Sequence, residues 1–226
     1  MELVSQEEAA VRSATERRNF MAWVLHQSFY RVGWQFKMEA TLIAGLVSFL
    51  SPSAKIIGLY STASSVGRCV GPLFATPWVD RSPSKNRCLG WLWALTVLCW
   101  AAGAFYLWTP YTADRVRTMW WFFTFYTLFF TFLGCVGVAQ GALLGKIIPA
   151  QRRGAALSLT HTFAGPLNLV AILIVYGLVR AGGFPAPRNY ALAFTITTFL
   201  FALAGLALLF IREEPSVEPK EVVTLR

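Results

Sequence analysis

Two arginines stand deep inside apolar stretches of this chain. Arg31 lies about 18 Å along its helix from Asn19, and Arg68 about 18 Å from Ile56, at ~1.5 Å per residue. A guanidinium at the centre of a bilayer costs roughly 2.5–3.5 kcal/mol, so each must face a polar cavity or a partner. No Asp or Glu lies inside any apolar stretch. Two chemistries remain: contact with an anionic ligand, or hydrogen bonds to Ser, Gln and backbone groups that lock helices together. His26 and Tyr30 share one helix face at four-residue spacing, as do Gln27 and Arg31. His26 could relay a proton near neutral pH, or serve as a hydrogen-bonded packing residue. Asn168 is deep in a later stretch, where it could contact a ligand or bond a neighbouring helix. His161 is shallower in the same stretch.

The elements that must position these side chains are read from composition. The 226 residues are 56% hydrophobic and 14% charged, with mean hydropathy +0.52. Soluble domains carry roughly a quarter charged residues. The chain is therefore an all-α membrane protein, and its unbroken apolar runs exclude an alternating β-barrel pattern. Six transmembrane helices are expected, at about 20–36 (with an extension to 50), 54–78, 88–108, 119–148, 155–179 and 190–211. Residues 1–19 form a polar N-terminal segment, with a short amphipathic helix on the inner face, and 212–226 a polar, disordered tail. The apolar stretch 40–50 is too short to cross; it extends helix 1 or lies at the interface.

The net charge of +9 does not imply nucleic acid, because the bases gather in the short turns between spans. Twelve of the twenty Lys and Arg fall on one side of this map and six, Lys37 and Lys55 among them, on the other. The excess places both termini in the cytoplasm. Cys69, Cys88, Cys99 and Cys135 lack paired spacing and read as small buried hydrophobes, with no metal and no cofactor implied. Pro166 should kink its helix. Gly137, Gly141 and Gly145 make a smooth face for another helix.

Two turns carry a resemblance. Residues 71–87 read GPLFATPWVDRSPSKNR, placing Asp80, Arg81, Lys85 and Arg87 between two apolar runs. This resembles the G-x-L-A-D-R-x-G-R-R turn between helices two and three of the major facilitator superfamily, with Thr76 in place of the first Gly and Pro83 in place of the second. Residues 146–154, KIIPAQRRG, resemble the P-x-x-x-R-G turn between helices four and five of the same superfamily, and supply Arg152 and Arg153. Asn19, Phe20, His26, Phe29 and Gly33 resemble the first helix of bacterial members. The resemblance implies the N-terminal six-helix half of such a transporter, in a bacterial inner membrane. It implies alternating access around a central solute site, with Asp80, Arg81, Lys85, Arg87, Arg152 and Arg153 at an inner gate. Ordinary topology-setting charge is the other reading of that gate set. Helix 1 lines the cavity in the superfamily, which favours Arg31 as the solute contact.

Full-size members have twelve helices, so six imply either a homodimer, a separately encoded second half, or a fragment. The expected partners are the lipid bilayer, a small solute and that second half. The rival reading is a non-transporting half that assembles with another membrane protein. An intramembrane serine protease would need a G-x-S-G nucleophile, which is absent; Ser64, Ser65 and His161 do not replace it.

Overall fold

The computed structural model describes residues 2–180 and 184–213. The chain runs as α1 (Glu2–Gln35), a π-helical turn (Glu39–Ile43), α2 (Ala44–Leu50), α3 (Ala54–Arg81), α4 (Lys85–Trp108), a 3-10 turn (Pro110–Ala113), α5 (Arg115–Ile147), α6 (Ala150–Arg180) and α7 (Arg188–Leu208). No strand occurs among the described residues. Two helix starts are set by side chains that satisfy free amides. The Ser84 hydroxyl accepts from the Arg87 amide (3.3 Å) at α4, and the Asp114 carboxylate accepts from the Arg117 amide (3.1 Å) at α5.

The interior is aromatic. Trp93 of α4, Tyr126, Phe129 and Phe130 of α5 and Phe201 of α7 are nearly or wholly inaccessible. The Trp93 indole donates to the Phe201 carbonyl at 2.7 Å, joining α4 to α7. The α3–α5 contact is different, because there backbones meet. A Cβ on Gly71 would collide with the Thr131 carbonyl, and one on Gly134 would sit 2.9 Å from the Pro72 ring. The Cys135 thiol donates across the same seam to the Gly71 carbonyl (3.2 Å). Small residues permit this approach, which dispersion then rewards.

At one end the chain closes on itself. The Asn19 side-chain amide donates to the Arg212 carbonyl and its oxygen accepts from the Arg212 amide, both at 2.8 Å. Next to it, the Glu213 carboxylate accepts from the Asn86 amide (2.7 Å), the Lys85 amide, the Ser84 hydroxyl and the Lys146 ammonium (each 2.9 Å). Burial acts to raise its pKa. The Asn86 amide, the Lys146 ammonium, the Lys85 amide and the Ser84 hydroxyl outweigh that and hold it below the usual carboxylate range. Four helices, α1, α4, α5 and α7, are tied at this end.

Several expectations change. Among the described residues six long helices are present, and four are long and apolar enough to cross a membrane by composition: Lys85–Trp108, Arg115–Ile147, Ala150–Leu178 and Arg188–Leu208. Polar groups along α1 and α3 dilute their hydropathy. The polar N-terminal segment is not a separate helix, since α1 is continuous from Glu2. Residues 40–50 do not extend α1. A break at Phe36–Met38 precedes the π-helical turn and α2, which bury Leu42, Ile43, Leu46, Val47 and Leu50. Gly137 and Gly141 pack against nothing; Gly67, Gly71 and Gly134 make the close helix contact instead. Cys69 is exposed, unlike buried Cys88 and Cys135. In the tail, Arg212 and Glu213 are bonded to the bundle, whereas 214–226, with Lys220 and Arg226, lies outside the described residues, as do 181–183 of the loop before α7.

Candidate functional site

α1, α5 and α6 enclose an open cleft of about 470 Å³. The i to i+4 rule decides which side chains of α1 reach it. Gln27 and Arg31 share one face and line the cleft. His26 and Tyr30, on the other face, turn into the aromatic core. There the Tyr30 ring lies 5.3 Å from Trp93 and 5.6 Å from Phe201, centre to centre. α5 contributes Gly137, Gln140 and Gly141, and α6 contributes Arg153, Gly154 and Thr160. The glycines that meet no neighbour therefore widen a cavity.

Arg31 is half-buried, and its Nε is shut off from solvent without a hydrogen-bond partner. Asn19 is pinned to Arg212 at the closed end. Arg31 lies about 18 Å further along α1. Arg153 sits nearer the closed end. Its Nε donates to the Ile148 carbonyl and its Nη2 to the Gly145 carbonyl, both 3.1 Å, capping the end of α5. Among the described residues the lining holds two guanidiniums, the amides of Gln27 and Gln140 and the Thr160 hydroxyl, and no acid. Such a donor set suits an anion.

His26 is fully buried and bonded at both ring nitrogens. Nδ1 lies 2.8 Å from the Ala204 carbonyl, which only accepts, so Nδ1 carries the proton. Nε2 then accepts from the Gln140 amide at 2.9 Å. In this geometry the imidazole is neutral and joins α1, α5 and α7, while Gln140 links it to the cleft wall. A second proton on Nε2 would face the Gln140 NH₂ group, so the arrangement favours packing over proton relay.

Arg68 is not part of the cleft. Its side chain is 49% exposed, and Nη2 lies 2.9 Å from Glu39 Oε1. The expectation of two arginines with no acid near them therefore fails for Arg68. The chain break at Phe36–Met38 folds Glu39 back toward α3. The same break turns Lys37, expected at the outer surface, into the interior. It is 0% exposed, with its ammonium 3.5 Å from the centre of the Trp34 ring and 3.7 Å from Glu39 Oε1. Phe130 and Phe129 complete the box at 4.8 and 5.1 Å. An ammonium over aromatic faces gains cation–π attraction.

Asn168 shares the α1-facing side of α6 with buried Ala164 and Ala171, and its Oδ1 is buried without a partner. It does not line the cleft. Of the turn residues, Asp80, Arg81, Arg87 and Arg152 are exposed, while the Lys85 ammonium donates to the carbonyls of Val79, Asp80 and Ser82 and ends α3. Arg153 alone of this set reaches the cleft. Gln140 and Thr160 were not singled out from sequence. Gln140 had a usable signal, as a lone amide in the apolar, glycine-rich run 134–145.

No curated protein and no solved structure matches the chain. A family model described as Major Facilitator Superfamily matches residues 31–224, beginning at the cleft arginine and covering every helix from the π-helical turn onward. The chain belongs to the Major Facilitator Superfamily.

Proposed function

We propose that this chain moves a small anionic solute across a membrane by alternating access, binding it at Arg31 in the cleft between α1, α5 and α6. Membership of the superfamily carries the coarser statement, membrane transport of a solute by an integral membrane protein of a family of transporters rather than enzymes. The observation that carries the anionic reading is Arg31 itself. It is a mid-bundle guanidinium with an unpaired Nε, facing a cleft lined by donors and, among the described residues, no acid. Arg153 and Arg152, with the Asp80 turn, are the proposed inner gate.

The cleft is open, and this supports a second half or a second copy as its other wall. Exposed polar groups that lipid would not satisfy support the same reading: Ser158 and His161 on α6, and Ser61, Thr62 and Ser65 on α3. Buried polar groups in membranes find protein partners or water. All six long helices are proposed to cross, with both termini cytoplasmic and the membrane a bacterial inner one. Lys37 lies inside the bundle, so the outer set of bases shrinks and the charge bias strengthens.

The test is ligand-induced thermal stabilisation. Phosphate, sulfate and a panel of mono- and dicarboxylates are titrated against purified protein and against Arg31→Gln. At least one anion should raise the melting temperature of the wild type and leave Arg31→Gln unmoved. Equal shifts in both proteins would overturn the site. A monodisperse monomer that binds anions but supports no uptake would favour the rival, a half that assembles with another membrane protein.

A further inference from the structure

A second concavity lies on the other side of the bundle. α4 and α7 pack side by side, and a groove of about 570 Å³ runs along their junction. It shares no residue with the cleft. Gly90 and Ala94 of α4 and Ala202 and Gly205 of α7 line it, and exposed Trp91 and Leu209 stand at its rims. From Asn86 to Leu98 it is about 18 Å long at ~1.5 Å per residue, close to one leaflet of a ~30 Å hydrocarbon layer.

The two glycines differ. A Cβ on Gly205 would come 2.8 Å from the Trp93 ring, so the packing of Trp93 requires glycine there. A Cβ on Gly90 would meet nothing within 4 Å. Glycine weakens a helix interior relative to alanine, and no internal contact explains it at 90. The space it leaves is turned to something outside the chain.

Charge at the mouth identifies the occupant. Arg87 lies at the same end as Asn86, is exposed, and its guanidinium makes no hydrogen bond or ion pair among the described residues. Its neighbours are committed: the Lys85 ammonium to three carbonyls, and the Lys146 ammonium to Glu213. An apolar slot one leaflet deep with a free guanidinium at its polar end matches an acyl chain bearing a phosphate. Basic pockets at the ends of membrane helices hold anionic headgroups in this way.

We propose that the α4–α7 groove binds an anionic glycerophospholipid, one acyl chain lying over Gly90 and Ala94 and the phosphate held by Arg87. The proposal rests on the chain's being embedded in a membrane and is independent of what it transports.

Native mass spectrometry of detergent-purified protein tests it, with dioleoylphosphatidylglycerol and dioleoylphosphatidylcholine added in turn. The wild type should retain one phosphatidylglycerol in preference to phosphatidylcholine. Arg87→Gln should weaken phosphatidylglycerol retention about fivefold, the effect of one basic residue at a charged membrane surface, and leave phosphatidylcholine unchanged. Gly90→Phe should weaken retention of both lipids by filling the groove. Arg117→Gln, at the opposite end, should change nothing. Equal retention of the two lipids by the wild type would overturn the proposal. So would Arg87→Gln behaving as wild type, or Arg117→Gln losing as much as Arg87→Gln. If Gly90→Phe does not elute as a folded species, the surface change Arg87→Gln decides alone.

Discussion

Replacing Glu213 by alanine should loosen the closed end of the bundle by an amount the structure allows to be worked out. The carboxylate is 3% exposed and accepts four hydrogen bonds, two from backbone amides that open α4, one from Ser84 and one from Lys146. Hydrogen bonds to a charged group are worth about 1.5–3 kcal/mol each, but their deletion is not additive. Lys146 remains 27% exposed and keeps part of its hydration. The α4 amides at 85 and 86 lose an anionic acceptor at a helix N-terminus. Breaking one partner of a largely buried pair costs roughly 3–5 kcal/mol, and the solvation of Lys146 places the expected loss near the lower figure, about 3 kcal/mol. At about 2–4 °C per kcal/mol for a chain of this size, the melting point falls by about 6–12 °C. A thiol-reactive fluorophore reads it once exposed Cys69 has reacted, because Cys88 and Cys135 are free and buried and react on unfolding. The pH dependence follows with its sign. The folded pKa of Glu213 is depressed, so its contribution is present above the ordinary value of 4.5 and is lost as pH falls through the folded value. Glu213→Gln should therefore be less stable at pH 7 and converge on the wild type in acid. A Glu213→Ala protein melting within 2 °C of wild type, with unchanged acid sensitivity, would refute the assignment of Glu213 as the tie between α4, α5 and the end of α7.

Other substitutions test the remaining packing claims by the same melting assay. Gly71→Leu drives a side chain into the Thr131 carbonyl and should destabilise the α3–α5 seam by about 3 kcal/mol or more, or prevent folding. Gly137→Ala meets open space and should be neutral or slightly stabilising. His26→Leu removes the bond to the Ala204 carbonyl, leaves the Gln140 amide unpaired and should cost about 1–3 kcal/mol. Lys37→Met replaces a buried ammonium with an apolar chain of similar length, while Glu39 keeps Arg68. Stability should change by less than about 1 kcal/mol or rise; a large loss would show that the Lys37 charge holds the aromatic box together.

What the sequence made legible was periodic. The four-residue spacing of Gln27 and Arg31 separated them from His26 and Tyr30, and α1 turns those two faces to the cleft and to the core. Helix spacing says nothing of where a helix breaks. Composition ended the first span near Phe36, where the helix does break, but nothing in it shows that the chain then turns inward, and with that went the positions of Lys37 and Glu39 and the pairing of Arg68. The glycine stripe was misread for a related reason. Regular spacing marks a smooth face, but not whether a helix or a cavity lies against it; here Gly137 and Gly141 face space and Gly134 makes the contact. Glu213 looked like part of a polar tail, because its partners are brought to it by two other helix ends far away in the chain.

The central claim, that Arg31 binds an anionic solute on its way through the membrane, is tested most directly by uptake into proteoliposomes. Purified protein is reconstituted and presented with a panel of labelled anions, cations and neutral solutes, alongside Arg31→Gln at equal protein content and equal melting temperature. The account predicts saturable uptake of at least one anion, reduced about 10–100-fold by Arg31→Gln, the loss of one charge-assisted contact. Transport confined to cations or neutral solutes, or anion uptake undiminished in Arg31→Gln, would contradict it.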